Sequence, residues 1–202
     1  MKSRLLTVTA LLAFSFWSAI ANAAAVVGQP APDFSASHSN GSTVSVSSYK
    51  GKYVVLEWMN PGCPFTQKHY RSGNMQSLQK DAHDKGVIWL TINTTPANGS
   101  SARPASELNT WLSEMKASPT SLLLDSGATV ASLYGAKTTP HMFVVDPKGL
   151  VVYAGAIDDK RSTAVEDVKV AHNYVSAALE ESLSGKPVST ASTQPYGCPV
   201  KY

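Results

Sequence analysis

The chain has 202 residues and a formal net charge of +3, with 17 basic against 14 acidic residues. This near balance favours neither nucleic acid nor an anionic membrane surface as a partner. Two cysteines are too few for a disulfide scaffold. The sequence also lacks zinc-type Cys/His spacing, a P-loop and a dinucleotide fingerprint, so it predicts neither a metal nor a nucleotide cofactor.

The first 23 residues have the pattern of a secretory signal peptide. Lys2 and Arg4 precede a largely apolar run from Leu5 to Ile20, and Ala21-Asn22-Ala23 has the small residues of a cleavage site. We therefore predict cleavage after Ala23, a periplasmic or secreted location, and no membrane attachment of the mature protein. The alternative is an uncleaved N-terminal anchor.

The mature chain of about 180 residues is long enough for one domain with a sizeable core. We place this domain at residues 24–185 and a tail rich in Ser, Thr and Pro, which carries Cys198, at residues 186–202. The tail becomes more apolar and aromatic from Tyr196 to Tyr202, which predicts that its end docks on the domain.

Two strands are predicted early in the mature chain. The alternation of Thr43–Ser47 indicates a short edge strand or hairpin arm. The run Tyr53–Met59 is apolar except for Glu57 and rich in β-branched and aromatic residues, which predicts a buried central strand.

Cys63 follows this strand at a predicted turn. Asn60-Pro61-Gly62 is a turn signal, and Pro64 suits the first position of a helix, so Cys63 should be the N-cap. The N–H groups and dipole of a helix N-terminus favour a thiolate there. The alternative is that Cys63 is an inert, buried hydrophobe.

The later elements alternate between helices and strands. In chain order we predict a helix broken at Ser72-Gly73-Asn74, a helix over Met75–Lys85, a strand over Val87–Ile92, a loop over Thr94–Ser101, a helix over Pro104–Lys116, a strand over Leu122–Leu124, a helix over Ala128–Tyr134, a hairpin of His141–Asp146 with Leu150–Gly155, and a last helix over Ala164–Leu183. This order predicts an α/β fold, with a central mixed sheet and helices on both faces.

The motifs together resemble the thioredoxin superfamily. The resemblance depends on the strand and turn before Cys63-Pro64 and on a later Thr139-Pro140 that leads into a strand. Gly28–Phe34 is similar to the opening of the alkyl hydroperoxide reductase/thiol-specific antioxidant branch, and the resemblance extends to Leu183. It implies a thioredoxin-like fold, thiol redox activity on a peroxide or a disulfide, and a thiol electron donor.

The sequence departs from both of the best-known patterns in this superfamily. Thioredoxins carry Cys-x-x-Cys, whereas Thr66 takes the place of the second cysteine here. Peroxiredoxins carry Pro-x-x-x-Thr-x-x-Cys, whereas Leu56 and Asn60 take the proline and threonine places. Peroxide reduction and disulfide exchange both stay open, as does a non-enzymatic binding module with a structural disulfide.

The resemblance also implies roles for Glu57, Thr139 and Pro140. Glu57 takes the place of a buried aspartate that handles the proton of the attacked thiol, which implies a raised pKa. The alternative is an acid at the end of the strand, paired with a surface lysine such as Lys52. Thr139-Pro140 resembles the cis-proline turn that places backbone groups at the cysteine, and the alternative is an ordinary trans turn.

The possible mechanisms differ in the role that they give to Cys198. The tail after Gly185 can extend about 40 Å at roughly 3.3 Å per residue, so reach is not limiting. Cys198 either resolves a mixed disulfide or sulfenic acid at Cys63, forms a static staple with it, or never meets it.

Other polar residues are secondary candidates for stabilising a thiolate. They are Lys68, His69, Tyr70 and His141, of which we expect His141 to be nearest, although each taken singly is expected on the solvated surface. No signal identifies the arginine that peroxiredoxins place near the sulfur, and the possibilities are Arg71, Arg103 and Arg161.

Overall fold

The computed structural model describes residues 24–96, 99 and 102–202 of the protein. The predicted signal peptide and most of the second half of the predicted Thr94–Ser101 loop lie outside these residues. Within the described ranges, no helix combines the length and apolar character that a membrane span requires.

The described chain folds into short strands alternating with helices. The strands are β1 (Ser35–His38), β2 (Thr43–Ser45), β3 (Val54–Trp58), β4 (Ile88–Asn93), β5 (Ser121–Leu124), β6 (Thr138–Thr139), β7 (His141–Val145), β8 (Val151–Gly155) and β9 (Cys198–Pro199). The α-helices are α1 (Pro64–Arg71), α2 (Asn74–Asp84), α3 (Ala105–Glu114), α4 (Thr129–Tyr134) and α5 (Tyr174–Leu183), with 3-10 helices at Val46–Tyr49 and Val165–Val170.

Strands β1–β5, β7 and β8 form one mixed sheet in the order β2-β1-β5-β4-β3-β7-β8. Strand β3 runs parallel to β4 and antiparallel to β7. Its side chains alternate between two cores, so Val55 packs with α1, α2, α3 and α5, whereas Leu56 and Trp58 pack with α4. The predicted mixed sheet with helices on both faces is confirmed.

Strand β1 was not predicted, because its sequence is short and polar. It pairs antiparallel with both β2 and β5 and so links them into the sheet. Strand β2 lies at the edge of the sheet, which confirms the predicted edge strand, although the chain already turns into a 3-10 helix at Val46.

The last helix is shorter than predicted. Helix α5 begins at Tyr174, and the preceding Val165–Val170 is a separate 3-10 helix. Asn173 divides them because its side-chain oxygen caps α5, accepting a hydrogen bond from the N–H of Ser176 at 3.0 Å. The prediction of one helix over Ala164–Leu183 is therefore wrong in its N-terminal half.

The C-terminal tail packs across the domain. Ser192 forms a parallel bridge with Ala154 of β8, and β9 pairs antiparallel with β6. Tyr196 and Val200 are buried. The predicted docking of the tail is confirmed, and it brings Cys198 to the carboxyl end of β3.

Candidate active site

Cys63 lies where β3 gives way to α1. It is the N-cap of the helix, and Pro64 follows at the first helical position, as predicted. Asn60 shapes the turn, because its side-chain oxygen accepts from the N–H of Gly62 at 2.8 Å and its carbonyl accepts from the N–H of Cys63 at 3.0 Å. Cys63 is only 2% exposed, so the turn presents its sulfur to the protein interior.

Thr139 and Pro140 lie directly beside Cys63. The peptide bond between them is cis, which confirms the prediction and excludes the trans alternative. The Cys63 thiol donates a hydrogen bond to the Thr139 carbonyl at 3.0 Å. The hydroxyl of Thr139 is also buried, and it lies close enough to Cys63 to stabilise a thiolate there by donating a hydrogen bond.

The tail places Cys198 against the same backbone. In the β6–β9 pairing, Cys198 lies opposite Thr139. Gly197 permits this approach, because a Cβ added there would lie 2.1 Å from the Thr139 carbonyl oxygen. Both cysteines are free thiols, and their side chains are close enough to share a hydrogen bond. The alternative in which the two never meet is therefore wrong.

The two thiols differ in acidity. Burial raises the pKa of Cys63, but hydrogen bonds from the Cys198 thiol, the Thr139 side chain and the backbone N–H groups of Thr66 and Cys198 outweigh it, so the pKa is lowered overall. Burial, followed by the hydrogen bond and charge of Cys63, raises the pKa of Cys198. Because the thiolate is the nucleophile, these shifts favour Cys63 over Cys198 as the attacking sulfur, and that role stays a prediction.

Glu57 is fully buried and accepts hydrogen bonds from several donors. They are Tyr70 Oη at 2.7 Å, Trp89 Nε1 at 2.8 Å, Thr91 Oγ1 at 2.9 Å and Gln79 Nε2 at 3.5 Å. Burial raises the pKa of the carboxyl group, and these donors offset part of the rise. The alternative of a surface pair with Lys52 is wrong, since the bonds to Glu57 come from the core.

No hydrogen bond joins Glu57 to Cys63 within the ranges that the structure describes. Its four partners belong to α1, α2 and β4, on the face of the sheet where those helices pack. The proton-handling role of Glu57 therefore stays a prediction.

His141 is buried and lies next to Pro140, but it carries no positive charge. Its Nδ1 accepts from the N–H of Lys137 at 3.1 Å. Burial, and then the charge of Lys137, lower the pKa of His141 to about 3, so the ring is neutral at ordinary pH. His141 therefore offers no charge to stabilise a thiolate at Cys63.

The expectation that the secondary candidates lie on the surface is wrong for all of them. The structure buries Lys68, His69, Tyr70 and His141. Lys68 pairs with Asp158 at 3.5 Å and donates to the carbonyl of Lys160 at 2.7 Å, so the segment after β8 covers this part of α1. A sequence pattern on α1 alone could not show that cover.

The arginines do not reach the sulfur. Arg71, Arg103 and Arg161 are all exposed. Arg103 pairs with Glu107, and Arg161 donates to the carbonyl of Gln194 at 3.2 Å. Within the described part of the chain, none of them is hydrogen-bonded to Cys63 or Cys198. None of these three arginines therefore has the position near the sulfur that peroxiredoxins give theirs.

Sequence patterns did not identify Asp158 and Tyr196, which border the site. The Tyr196 hydroxyl donates to Asp158 Oδ1 and lies 3.2 Å from His69 Nε2. The available signals were an acid directly after the apolar run that ends at Ile157 and the apolar, aromatic end of the tail that begins at Tyr196. In the described ranges, no group of three or more His, Cys, Asp and Glu side chains is placed to hold a metal ion.

The sequence model of the AhpC/TSA family matches residues 27–154. The chain belongs to the AhpC/TSA family. The matched segment contains Glu57, Cys63, Thr139 and Pro140, and it ends well before Cys198. The tail that carries Cys198 therefore lies outside the segment matched by the family model.

Two individual proteins show how far the similarity extends along the chain. Peroxiredoxin Bcp of Bacillus subtilis (strain 168) is 38% identical over 65 residues, which are 30% of this chain and only 41% of that protein's length. An uncharacterized conserved protein from Geobacillus kaustophilus has a crystal structure with a TM-score of 0.74 at 25% identity, covering 88% of this chain and 92% of that one.

The fold is also similar to that of a thioredoxin domain. The thioredoxin domain of a thiol-disulfide oxidoreductase from Bacteroides vulgatus gives a TM-score of 0.53 at 22% identity, covering 72% of this chain and 96% of that one. This likeness, together with the family match, confirms the predicted thioredoxin-like fold.

Proposed function

We propose that this AhpC/TSA protein is an exported thiol-disulfide oxidoreductase whose redox centre is the Cys63–Cys198 pair. One observation carries the proposal: β9 holds Cys198 opposite Thr139, whose carbonyl accepts the hydrogen bond of the Cys63 thiol at 3.0 Å. Two neighbouring thiols of unequal pKa can form and break a disulfide by exchange. Export is supported by the signal-peptide pattern of residues 1–23.

The reduced pair would transfer two electrons to a substrate disulfide. When the tail opens and exposes its sulfur, the Cys63 thiolate attacks one substrate sulfur, the substrate S–S bond breaks, and the first substrate thiolate leaves. Cys198 then loses its proton and attacks the Cys63 sulfur, which releases the second substrate thiolate. The products are the Cys63–Cys198 disulfide and two substrate thiols.

Reduction of that disulfide by a donor thiol would begin at Cys198. Cys198 is partly exposed, whereas Cys63 is only 2% exposed, so a donor thiolate reaches Cys198 first. Cys63 is also the better leaving group, because its thiol has the lower pKa. A second donor thiol then releases Cys198 and completes the two-electron reduction.

Peroxide is the second candidate substrate, favoured by the family and by the similarity to peroxiredoxin Bcp. The Cys63 thiolate would attack the O–O bond and become a sulfenic acid, and Cys198 would condense with it to give the disulfide and water. Leu56 and Asn60 at the proline and threonine places weigh against this substrate.

Rapid-mixing kinetics on the mature protein from Ala24 separate these substrates. The reduced protein is mixed with hydrogen peroxide or with an aromatic disulfide, using free cysteine as the reference. We expect exchange with the disulfide to be faster than that of free cysteine, and the reaction with peroxide to be no faster. Fast reaction with peroxide alone would assign a peroxidase, and no acceleration with either would favour a binding module.

Thr139, Pro140 and Glu57 complete the proposed site. Thr139 positions the Cys63 sulfur through its carbonyl, and Pro140 fixes the turn that presents that carbonyl. Glu57 is assigned the exchange of a proton with the thiol pair, as the resemblance implies. Its raised pKa supports this role, since an ordinary carboxyl group would stay ionised throughout the reaction.

Glu57→Gln tests this role. The native pKa lies above the ordinary 4.5, so the unfolded state ionises first as the pH rises. The free energy of unfolding of the wild type should therefore be highest below about pH 4.5. It should fall as the pH rises from there through the native pKa of Glu57. The variant should lack this fall, and its exchange rate should lose the corresponding pH dependence.

Urea unfolding and rapid-mixing kinetics from about pH 4 to pH 8 measure both effects. Glu114→Gln is the matched control, because Glu114 is exposed. If Glu57→Gln keeps the wild-type pH–rate profile, Glu57 exchanges no proton with the thiol pair and has only a structural role in the core.

A further inference from the structure

Tyr196 anchors the tail just before Cys198. It is 7% exposed. Its hydroxyl donates to Asp158 Oδ1 and lies 3.2 Å from His69 Nε2. Its ring packs edge-on against Phe65 with the centroids 5.8 Å apart. Only Gly197 separates this anchor from the second sulfur of the redox pair.

Asp158 is itself held in place. The ammonium group of Lys68 lies 3.5 Å from its Oδ2, and both side chains are at most 1% exposed. The N–H of Lys160 donates to Oδ1 at 3.0 Å, and the carbonyl of Lys160 accepts from Lys68 at 2.7 Å. A buried ion pair with its remaining hydrogen bonds made is a rigid acceptor for the Tyr196 hydroxyl.

The hydrogen bonds around His69 determine which of its ring nitrogens carries the proton. Asn74 Oδ1 accepts from Asn173 at 3.1 Å, so the Asn74 amide presents an N–H to His69 Nδ1 at 2.9 Å. Burial, and then the charge of Lys68, lower the pKa of His69 to about 3, so the ring is neutral. Nε2 therefore carries the ring proton and donates to Tyr196, whose own proton goes to the carboxylate.

Helix α1 carries both Cys63 and two of the residues that hold Tyr196. Cys63 is its N-cap, and Lys68 and His69 lie on its second turn. The tail is therefore tied to the same rigid element that presents the reactive sulfur. The β6–β9 pairing is only two residues long, so it provides little hold on the tail by itself.

We infer that Tyr196 is a positioning residue, whose hydroxyl, held between Asp158 and His69, keeps Cys198 opposite Cys63. This role rests on the proposed function of the cysteine pair. The anchor raises the effective concentration of the Cys198 thiol at Cys63, and that favours the intramolecular disulfide over mixed disulfides. It also keeps β9 over Cys63 in the reduced protein.

Tyr196→Phe removes the hydroxyl and keeps the ring. Tyr53→Phe is the matched control, since the Tyr53 hydroxyl donates to the carbonyl of Ser182 at 2.8 Å and lies outside the cluster. Both variants retain an aromatic ring that fills the core, so both are expected to fold. Thermal unfolding followed by circular dichroism measures the stability of each.

Two readouts report the position of the tail. In glutathione buffers, Tyr196→Phe should shift the Cys63–Cys198 disulfide equilibrium about tenfold toward the dithiol, equivalent to roughly 30 mV. In the reduced protein, iodoacetamide should alkylate Cys63 several-fold faster. Tyr53→Phe should match the wild type in both, whatever stability it loses.

The results separate this role from the proposed function. If Tyr196→Phe matches the wild type in both readouts, Tyr196 does not position the tail. If the wild type forms no Cys63–Cys198 disulfide, the proposed function fails, and the alkylation rate alone decides the role of Tyr196. A faster rate in Tyr196→Phe then supports the anchor, and an unchanged rate overturns it.

Discussion

Cys63→Ser should abolish disulfide exchange, with a loss of about 10³-fold or more, because a serine hydroxyl stays protonated and is a poor nucleophile. Cys198→Ser should keep the first attack. It should release one equivalent of substrate thiol and then stop as a mixed disulfide at Cys63. A burst assay of released thiol, with mass spectrometry of the protein, measures both results.

Neither substitution should disturb the fold. Serine is a favoured N-cap residue, so α1 keeps its start at position 63. Cys198 is only partly buried, and its backbone makes the β6–β9 pairing whatever its side chain. Exchange by Cys63→Ser at the wild-type rate would remove Cys63 from the mechanism, and multiple turnovers by Cys198→Ser would show that the tail does not resolve.

Gly197→Ala should detach the end of the tail. An added Cβ would lie 2.1 Å from the carbonyl oxygen of Thr139 and 2.8 Å from its carbonyl carbon, and φ at Gly197 is +137°. Backbone atoms cannot move aside as a flexible side chain can, so β9 must separate from β6. We expect alkylation of Cys63 to accelerate by roughly tenfold or more, because β9 no longer covers its sulfur and this gain in access outweighs the loss of the hydrogen bonds from Cys198 that lower its pKa.

Gly185→Ala is the matched control for this substitution. Gly185 also has a positive φ, +72°, but nothing lies within 4 Å of its added Cβ. The control therefore reports backbone strain alone, at roughly 1–2 kcal/mol. Equal alkylation rates of Cys63 in the two variants would show that the close approach of Gly197 to Thr139 does not hold the tail.

The turn at Cys63 was predictable because its signals are local. A β-branched strand, a turn and a proline at the first helical position lie within a few residues of Cys63, and each has its own conformational preference. The Thr139-Pro140 turn was instead identified by its resemblance to the cis-proline turn of the thioredoxin superfamily. Resemblance then connected two sites that lie 76 residues apart.

The anchor of the tail was not predictable in this way. Lys68 and Asp158 lie 90 residues apart, and His69 and Tyr196 lie 127 apart, so no periodicity relates them. Lys68 and His69 look like ordinary surface residues until the segment after β8 and the tail cover α1. Composition predicted that the tail docks, but a strand of two residues carries no pattern that shows where.

The most direct test of the cysteine pair is a redox titration of the mature wild-type protein in glutathione buffers, with mass spectrometry of the linked peptides. We expect one reversible two-electron transition, a peptide that joins Cys63 to Cys198, and a potential above about −300 mV. No linked peptide, or a link with a potential well below about −300 mV, would contradict a cycling pair and leave a fold with separate thiols or a permanent staple.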